Sequence, residues 1–260
     1  MKIVTVDFET YFDDDYTLKK LTTEEYIRDP RFEALGCAVY DPPNSNWFLP
    51  DQMKELCEAW RSQQRNGIKI TVLAHHAHFD GLILNEHFDF RPDLWLDTLS
   101  MGRVVFDSGL RLGLDDIAQR LDLRPKSVPY DAFKGQHWRD LDVAVQNAVA
   151  DGALHDCNLT REAAGIMLSG GHPAVPYAFP ASELPVIDLT IRMFTEPTLV
   201  GDLDSLGEAW VAEQRAVKDL FARLSDVFGQ PVTPALLRKD DHFAVLLDEL
   251  GVEPALKVTA

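Results

Sequence analysis

Ile3-Val4-Thr5-Val6-Asp7-Phe8-Glu9-Thr10 sets two carboxylates two residues apart at the end of an apolar, β-branched run. Residues i and i+2 of a strand project from the same face, so Asp7 and Glu9 aim their oxygens at one point. Burying paired carboxylates without a cation is costly, and their mutual repulsion drives one of them to keep a proton. A divalent metal removes the conflict. The competing reading of this segment alone is a surface strand with two solvated acids.

The chain has 260 residues, 46% of them apolar, enough for one large α/β domain with an appendage and a real core. Cys37, Cys57 and Cys157 are odd in number and form no Cys-x-x-Cys pair, which argues against a disulfide framework or a structural zinc site. No apolar run approaches the roughly 18 to 20 residues of a membrane span, and no signal-peptide pattern precedes the first strand. A cytoplasmic protein without a membrane partner is therefore expected. The formal charge of −17 counts against a broad basic surface for nucleic acid. Bound divalent cations offset part of that charge locally, and a basic partner or domain would supply the rest.

Outward from the first strand, Thr22 to Glu25 has capping-box spacing and opens a short helix that Asp29-Pro30 closes. Phe32 to Tyr40 reads as a strand, Pro42-Pro43 as a turn, and Trp47 to Leu49 as a pairing strand. Met53, Leu56, Cys57 and Trp60 recur at helical spacing, and Gly67 turns the chain into a buried strand, Ile68 to Ala74. A helix over Phe79–Phe88, a short strand over Leu94–Leu96 and a helix over Leu114–Leu121 follow. Pro125 to Trp138 is rich in turn residues and reads as a surface loop. Asp142 to Met167 reads as helix with a break near Asp151-Gly152. Strands alternating with helices imply an α/β fold with a mixed sheet flanked by helices. The organisation expected is a domain over 1–168, a linker loop over 169–182 and a helical C-terminal segment over 183–260, with helices at 183–194, 205–228 and from Thr233-Pro234.

Two more acids complete the pattern. Asp80 stands at the start of a helix that follows a buried strand, where open α/β sheets place their ligands. Asp156 lies within the helical segment Gly152–Thr160. Taken singly, each also fits a solvated helix charge. Together, Val6-Asp7-Phe8-Glu9-Thr10, Ala74-His75-His76-Ala77-His78-Phe79-Asp80 and His155-Asp156-Cys157-Asn158-Leu159-Thr160 are similar to the three motifs of the DnaQ-like, or DEDD, 3′-5′ exonucleases. The resemblance is strongest to the proofreading domain at the N-terminus of phage family A DNA polymerases, and extends to Thr22–Phe32, Leu96–Met101 and Leu184–Pro197.

That resemblance implies a ribonuclease H-like sheet and two Mg²⁺ or Mn²⁺ ions. It also implies removal of nucleotides from the 3′ end of single-stranded DNA, as the proofreading part of a polymerase supplied in cis or in trans. The segment 183–260 would be the start of that polymerase region, and the setting a bacterium or an infected host cell. Asp7 would bridge the ions, Glu9 and Asp156 would complete the water-activating site, and Asp80 would hold the second ion. Phe8, Thr10, His76 and Phe79 would meet the substrate. Two alternatives stand beside it: an exonuclease of short RNA, and a catalytically weakened module for binding nucleic acid or protein.

The pattern departs from the family where a Tyr four residues, or a His five residues, before the last Asp orients the attacking water. Those positions are Gly152 and Asp151. Residues i and i+4 share a helix face, so Gly152 leaves the general-base position vacant. The metals alone would then carry the chemistry, or His155 or one of His75, His76 and His78 would orient the water. On this reading, Gly152→Tyr raises turnover. His76 also replaces the usual Asn of the second motif, and the three neighbouring histidines lack the companions of a zinc site.

Overall fold

The computed structural model describes residues 2–106, 109–196 and 199–253. The opening run is β1 (Lys2–Thr10), the middle strand of a five-stranded sheet. On one side lies β2 (Ala34–Asp41), antiparallel to β1, with β3 (Asn44–Phe48) antiparallel beyond it. On the other side β4 (Ile70–Ala74) and β5 (Leu94–Asp97) run parallel to β1, giving the order β3-β2-β1-β4-β5. This is the mixed, helix-flanked sheet of ribonuclease H type.

The switch from antiparallel to parallel neighbours at β1 opens a crevice at its carboxyl end. The last β1–β4 pair is Thr5 with Leu73, so Asp7 and Glu9 pair only with Ala38 and Gly36 of β2. Alternation sends Val4, Val6 and Phe8 to one face, where they join Met53, Cys57 and Trp60 of α2 (Pro50–Arg65) in the main core. Burying each such side chain contributes about 1.5–3 kcal/mol. Thr5, Asp7 and Glu9 face the other way, toward α7 (Val143–Ser169), whose Cys157 Sγ donates to Thr5 O at 3.2 Å.

Helix α7 is continuous through Asp151-Gly152, where sequence propensity had put a break. Gly152, Ala153, Cys157, Ala163 and Ala164 are all buried, and these small side chains let the helix lie close to neighbouring backbone. Tertiary packing overrides the intrinsic cost of the glycine. The remaining elements fall near their expected places. They are α1 (Thr23–Arg28) with its Thr22–Glu25 capping box, α3 (Ala77–Phe88) and α5 (Leu114–Arg120). A helix absent from the sequence reading, α4 (Thr98–Val105), follows β5 directly and is capped by Asp97. The expected loop at 125–138 carries a short helix, α6 (Tyr130–Phe133), and its Phe133 is fully buried.

The domain boundary also shifts. The chain divides into units Met1–Thr198 and Leu199–Ala260, so the loop 169–182 does not separate compact units. Helix α8 (Glu183–Thr195) packs on α3 and β5 within the first unit. Asp188 accepts from Trp95 N at 2.7 Å and from Arg192 Nε at 2.9 Å, while Arg192 also donates to Pro92 O and Glu196. The second unit consists of α9 (Leu203–Phe228), α10 (Pro234–Leu237) and α11 (Asp240–Glu249). Asp202 caps α9, Gly229 ends it in the left-handed conformation, and Thr233 with Pro234 starts α10 as the sequence suggests. Of the segments marked in the sequence, Pro197 and residues 254–260 lie outside the described residues.

Candidate active site

A cavity of about 760 Å³ opens at the carboxyl end of β1, with Asp7, Glu9 and Asp80 among its lining residues. Asp156 lies behind them with no exposure, while Glu9 is 5% and Asp80 3% exposed. The four predicted acids therefore meet at one place. Charge on Asp7, Asp80 and Asp156 is felt at Glu9, and charge on Asp156 at Asp7.

Asp80 and Asp156 are each held by a backbone N–H. Beyond the end of β4, the Phe8 N–H has lost its neighbouring strand, and Asp80 Oδ1 accepts it at 2.9 Å. Asp80 reaches that point because the chain turns sharply from β4 into α3 at His76, which adopts φ 65° and ψ 52°. A non-glycine residue in the left-handed region costs on the order of 1–3 kcal/mol and persists only where its surroundings enforce it. The enforcing group is Asp97, fully buried, whose Oδ1 accepts from His76 N at 2.7 Å and Ala77 N at 3.2 Å. The same carboxylate caps α4 through Leu99 N, Ser100 N and Ser100 Oγ. Sequence reading passed over Asp97 as part of a resembling segment; Asp97-Thr98-Leu99-Ser100 carries an N-cap pattern that would have marked it.

Asp156 is met by the segment that had been read as a surface loop. Its Oδ1 accepts from Ser127 N at 3.2 Å, and its Oδ2 lies 3.3 Å from Lys126 Nζ. Lys126 in turn donates to Tyr130 Oη at 2.9 Å, and both line the cavity. The loop comes this close because Gly152 has no side chain. A Cβ there would stand 2.8 Å from Val128 Cα and 3.0 Å from Ser127 O. The position that looks vacant in the motif is thus filled by the backbone of the loop, and a Tyr at 152 has nowhere to go.

The remaining predicted residues divide. Phe8 is 5% exposed, with its ring 5.4 Å from that of Phe88, so its side chain belongs to the core. Thr10 is buried and shares a hydrogen bond with Tyr26 Oη at 2.8 Å. His76 and Phe79 line the cavity, and so do Phe8 and Thr10. His75 Nδ1 shares a hydrogen bond with Thr98 Oγ1, His78 packs edge-on to Phe194, and His155 Nε2 bonds Pro125 O at 2.8 Å. His155 thus anchors the loop and is not directed at the acids.

Burial pushes Asp7 up to about 7, against the pull of Lys126, and Asp156 raises it further. Burial and the neighbouring carboxylates hold Glu9 and Asp80 well above the usual range, and burial raises Asp156 too. Burial alone would lower Lys126, yet Tyr130, Asp156 and Asp7 outweigh it and keep the ammonium charged. The donor set is all oxygen, which suits Mg²⁺ or Mn²⁺. Asp7 Oδ2 is buried without a hydrogen-bond partner, the condition a cation would relieve, whereas Asp156 Oδ2, which makes no hydrogen bond, already has the Lys126 ammonium 3.3 Å away. As the side chains stand, no three His, Cys, Asp or Glu groups among the described residues surround one point at ligand spacing. Phe8 N–H holds one oxygen of Asp80, while Ser127 and Lys126 engage Asp156.

No protein-family model matches the sequence, nor does any curated protein. Solved structures do. RNase D of Trypanosoma brucei is similar at TM-score 0.54 and 13% identity, over 76% of this chain and 68% of that one. The same enzyme in complex with RNA U12 gives TM-score 0.51 and 13% identity, over 76% and 66%. Brucella melitensis NrnC with bound Mg²⁺ covers more, 80% of this chain and 87% of that one, at a lower TM-score of 0.47 and 16% identity. At such identities the likeness to RNase D establishes the fold alone, a ribonuclease H-like sheet.

Two outcomes follow from the site. Above about pH 7.5 a free histidine is largely neutral, and burial holds His75 down to about 4 and lowers His78, so both are neutral in folded and unfolded chains there. Asp7, Glu9 and Asp80, raised on folding, then set the slope: the unfolded chain binds fewer protons, so metal-free stability falls as pH rises through about 7. Thermal melting in EDTA should decline from pH 7.5 to 8.5, and millimolar Mn²⁺ should flatten the decline. Gly152→Ala, for its part, should destabilise the protein by about 1–3 kcal/mol through overpacking against Val128. Limited proteolysis should show 125–138 loosened, and Gly152→Tyr should lower turnover instead of raising it.

Proposed function

We propose that this protein is a divalent-metal-dependent exonuclease that shortens single-stranded nucleic acid from its 3′ end. The observation that carries the reading is the convergence of Asp7, Glu9, Asp80 and Asp156 at the carboxyl end of β1, beside a cavity of about 760 Å³. Asp7, Glu9, Asp80 and Asp156 would hold the metal, which when bound supplies hydroxide near neutral pH and stabilises charge on the departing oxygen. The chain's own residues do the rest. Asp97 fixes the turn that presents Asp80, Ser127 fixes Asp156, and His76 and Phe79 border the space for the terminal nucleotide. An aromatic ring at that border suits stacking on a base.

Short RNA is the polymer we favour, supported by the likeness to an RNase D solved with RNA U12. DNA is the second reading. The motif resemblance to polymerase proofreading domains favours it, and in that reading a polymerase domain acts in cis or in trans. End-labelled single strands of one sequence, as RNA and as DNA, should be incubated with Mg²⁺, Mn²⁺ or EDTA. Stepwise loss of 3′ nucleotides is expected with metal only, faster on RNA, and Asp7→Asn should reduce it to background. Faster DNA digestion would transfer the proposal to proofreading. Absence of both cleavage and metal-dependent binding would leave an interaction module that has kept only the fold.

A further inference from the structure

Lys126 lines the cavity, and the motif reading does not account for it. Its side chain is 28% exposed and points its ammonium at a fully buried carboxylate, Asp156. Four contacts hold it there. Its backbone N–H donates to Asp115 Oδ1 at 2.6 Å, and His155 Nε2 bonds the preceding carbonyl, Pro125 O, at 2.8 Å. Ser127 N, one residue on, donates to Asp156 itself, and Lys126 Nζ bonds Tyr130 Oη at 2.9 Å, 5.2 Å from the centre of that ring. A lysine that merely swings in from solvent has no need of such fastening. The helix carrying Asp156 also gives up a side chain at Gly152 to admit the segment.

We infer that Lys126 is a resident cation of the site, taking the place of the ion that the Glu9–Asp156 side of the cluster would otherwise bind. The inference rests on the metal-nuclease reading and revises its metal count from two to one. Asp156 Oδ2 cannot serve both cations easily. A divalent ion sits about 2.0–2.6 Å from its oxygen ligands, and Nζ already stands 3.3 Å from this oxygen. The two like charges would then lie within about 6 Å of each other in a partly desolvated site, where their repulsion is large. Asp7 Oδ2, buried and unpartnered, remains for one divalent ion on the cavity side.

The test counts ions on the whole protein, with Mn²⁺ as probe, by calorimetric titration and by the dipolar broadening that paired Mn²⁺ ions show in electron paramagnetic resonance. Wild type should bind one Mn²⁺ without pair broadening, Lys126→Met should bind two with broadening, and Lys126→Arg, which keeps the charge, should bind one. Should Lys126→Met fail to fold without metal, the wild-type and Lys126→Arg counts decide. Two ions on wild type overturn the assignment and leave Lys126 as a contact for substrate phosphate. One ion on both wild type and Lys126→Met also overturns it, since the lysine then displaces nothing. No Mn²⁺ on wild type overturns the nuclease reading along with it.

Discussion

Four carboxylates gathered at the end of one strand repel one another and resist burial, and the surrounding structure is arranged to hold them there regardless. The helix after β4 is forced through a left-handed turn at His76 so that Asp80 can accept the N–H that β1 can no longer share with a strand. Asp97 enforces that turn while capping the next helix, so one buried carboxylate ties β5 and α4 to the β4–α3 junction. On the opposite face, α7 brings Asp156 against the sheet, and the 125–138 segment closes over it with an ammonium. None of these contacts relieves the repulsion fully. Asp7 Oδ2 still has no partner. The cluster therefore keeps a charge that only bound protons or a cation would neutralise.

The same arrangement bears on the charge. A protein of net charge −17 is a poor general partner for a polyanion. The cavity differs from the whole, since Lys19, Lys20, Lys126 and Lys134 are among its lining residues. Lys20 and Lys134 are paired with Asp15 and Asp14 on exposed surface, where such pairs are weak and readily exchanged for a phosphate. The lysines of the lining thus offset part of the negative charge at the cavity itself.

Much of this was legible in the sequence. β-branched alternation marked β1, the Thr22–Glu25 box marked α1, and Asp7, Glu9, Asp80 and Asp156, distant in sequence, lie in one neighbourhood of the fold. What escaped had no periodic signature. Lys126 and Tyr130 sit in a stretch dense with turn residues, where neither a period of two nor one of 3.6 assigns direction, and only packing sends them inward. Gly152 was misread for a related reason. A motif records which side chain is missing, whereas the backbone of Val128 that fills the gap belongs to another part of the chain. Helix α8 was set beyond a boundary because the Gly-Gly and Pro-rich segment before it looks like a linker; the Asp188 bond to Trp95 N, which joins α8 to the sheet, links residues too far apart for local pattern.

The central claim is that the carboxylate floor of this cavity is neutralised by a divalent ion acting together with Lys126. Anomalous diffraction at the manganese edge, from crystals grown in Mn²⁺, tests it directly. The account predicts one anomalous peak beside the Asp7 carboxylate, with the Lys126 ammonium still against Asp156. No peak among the four acids, or two peaks with Lys126 expelled from the cluster, would contradict it.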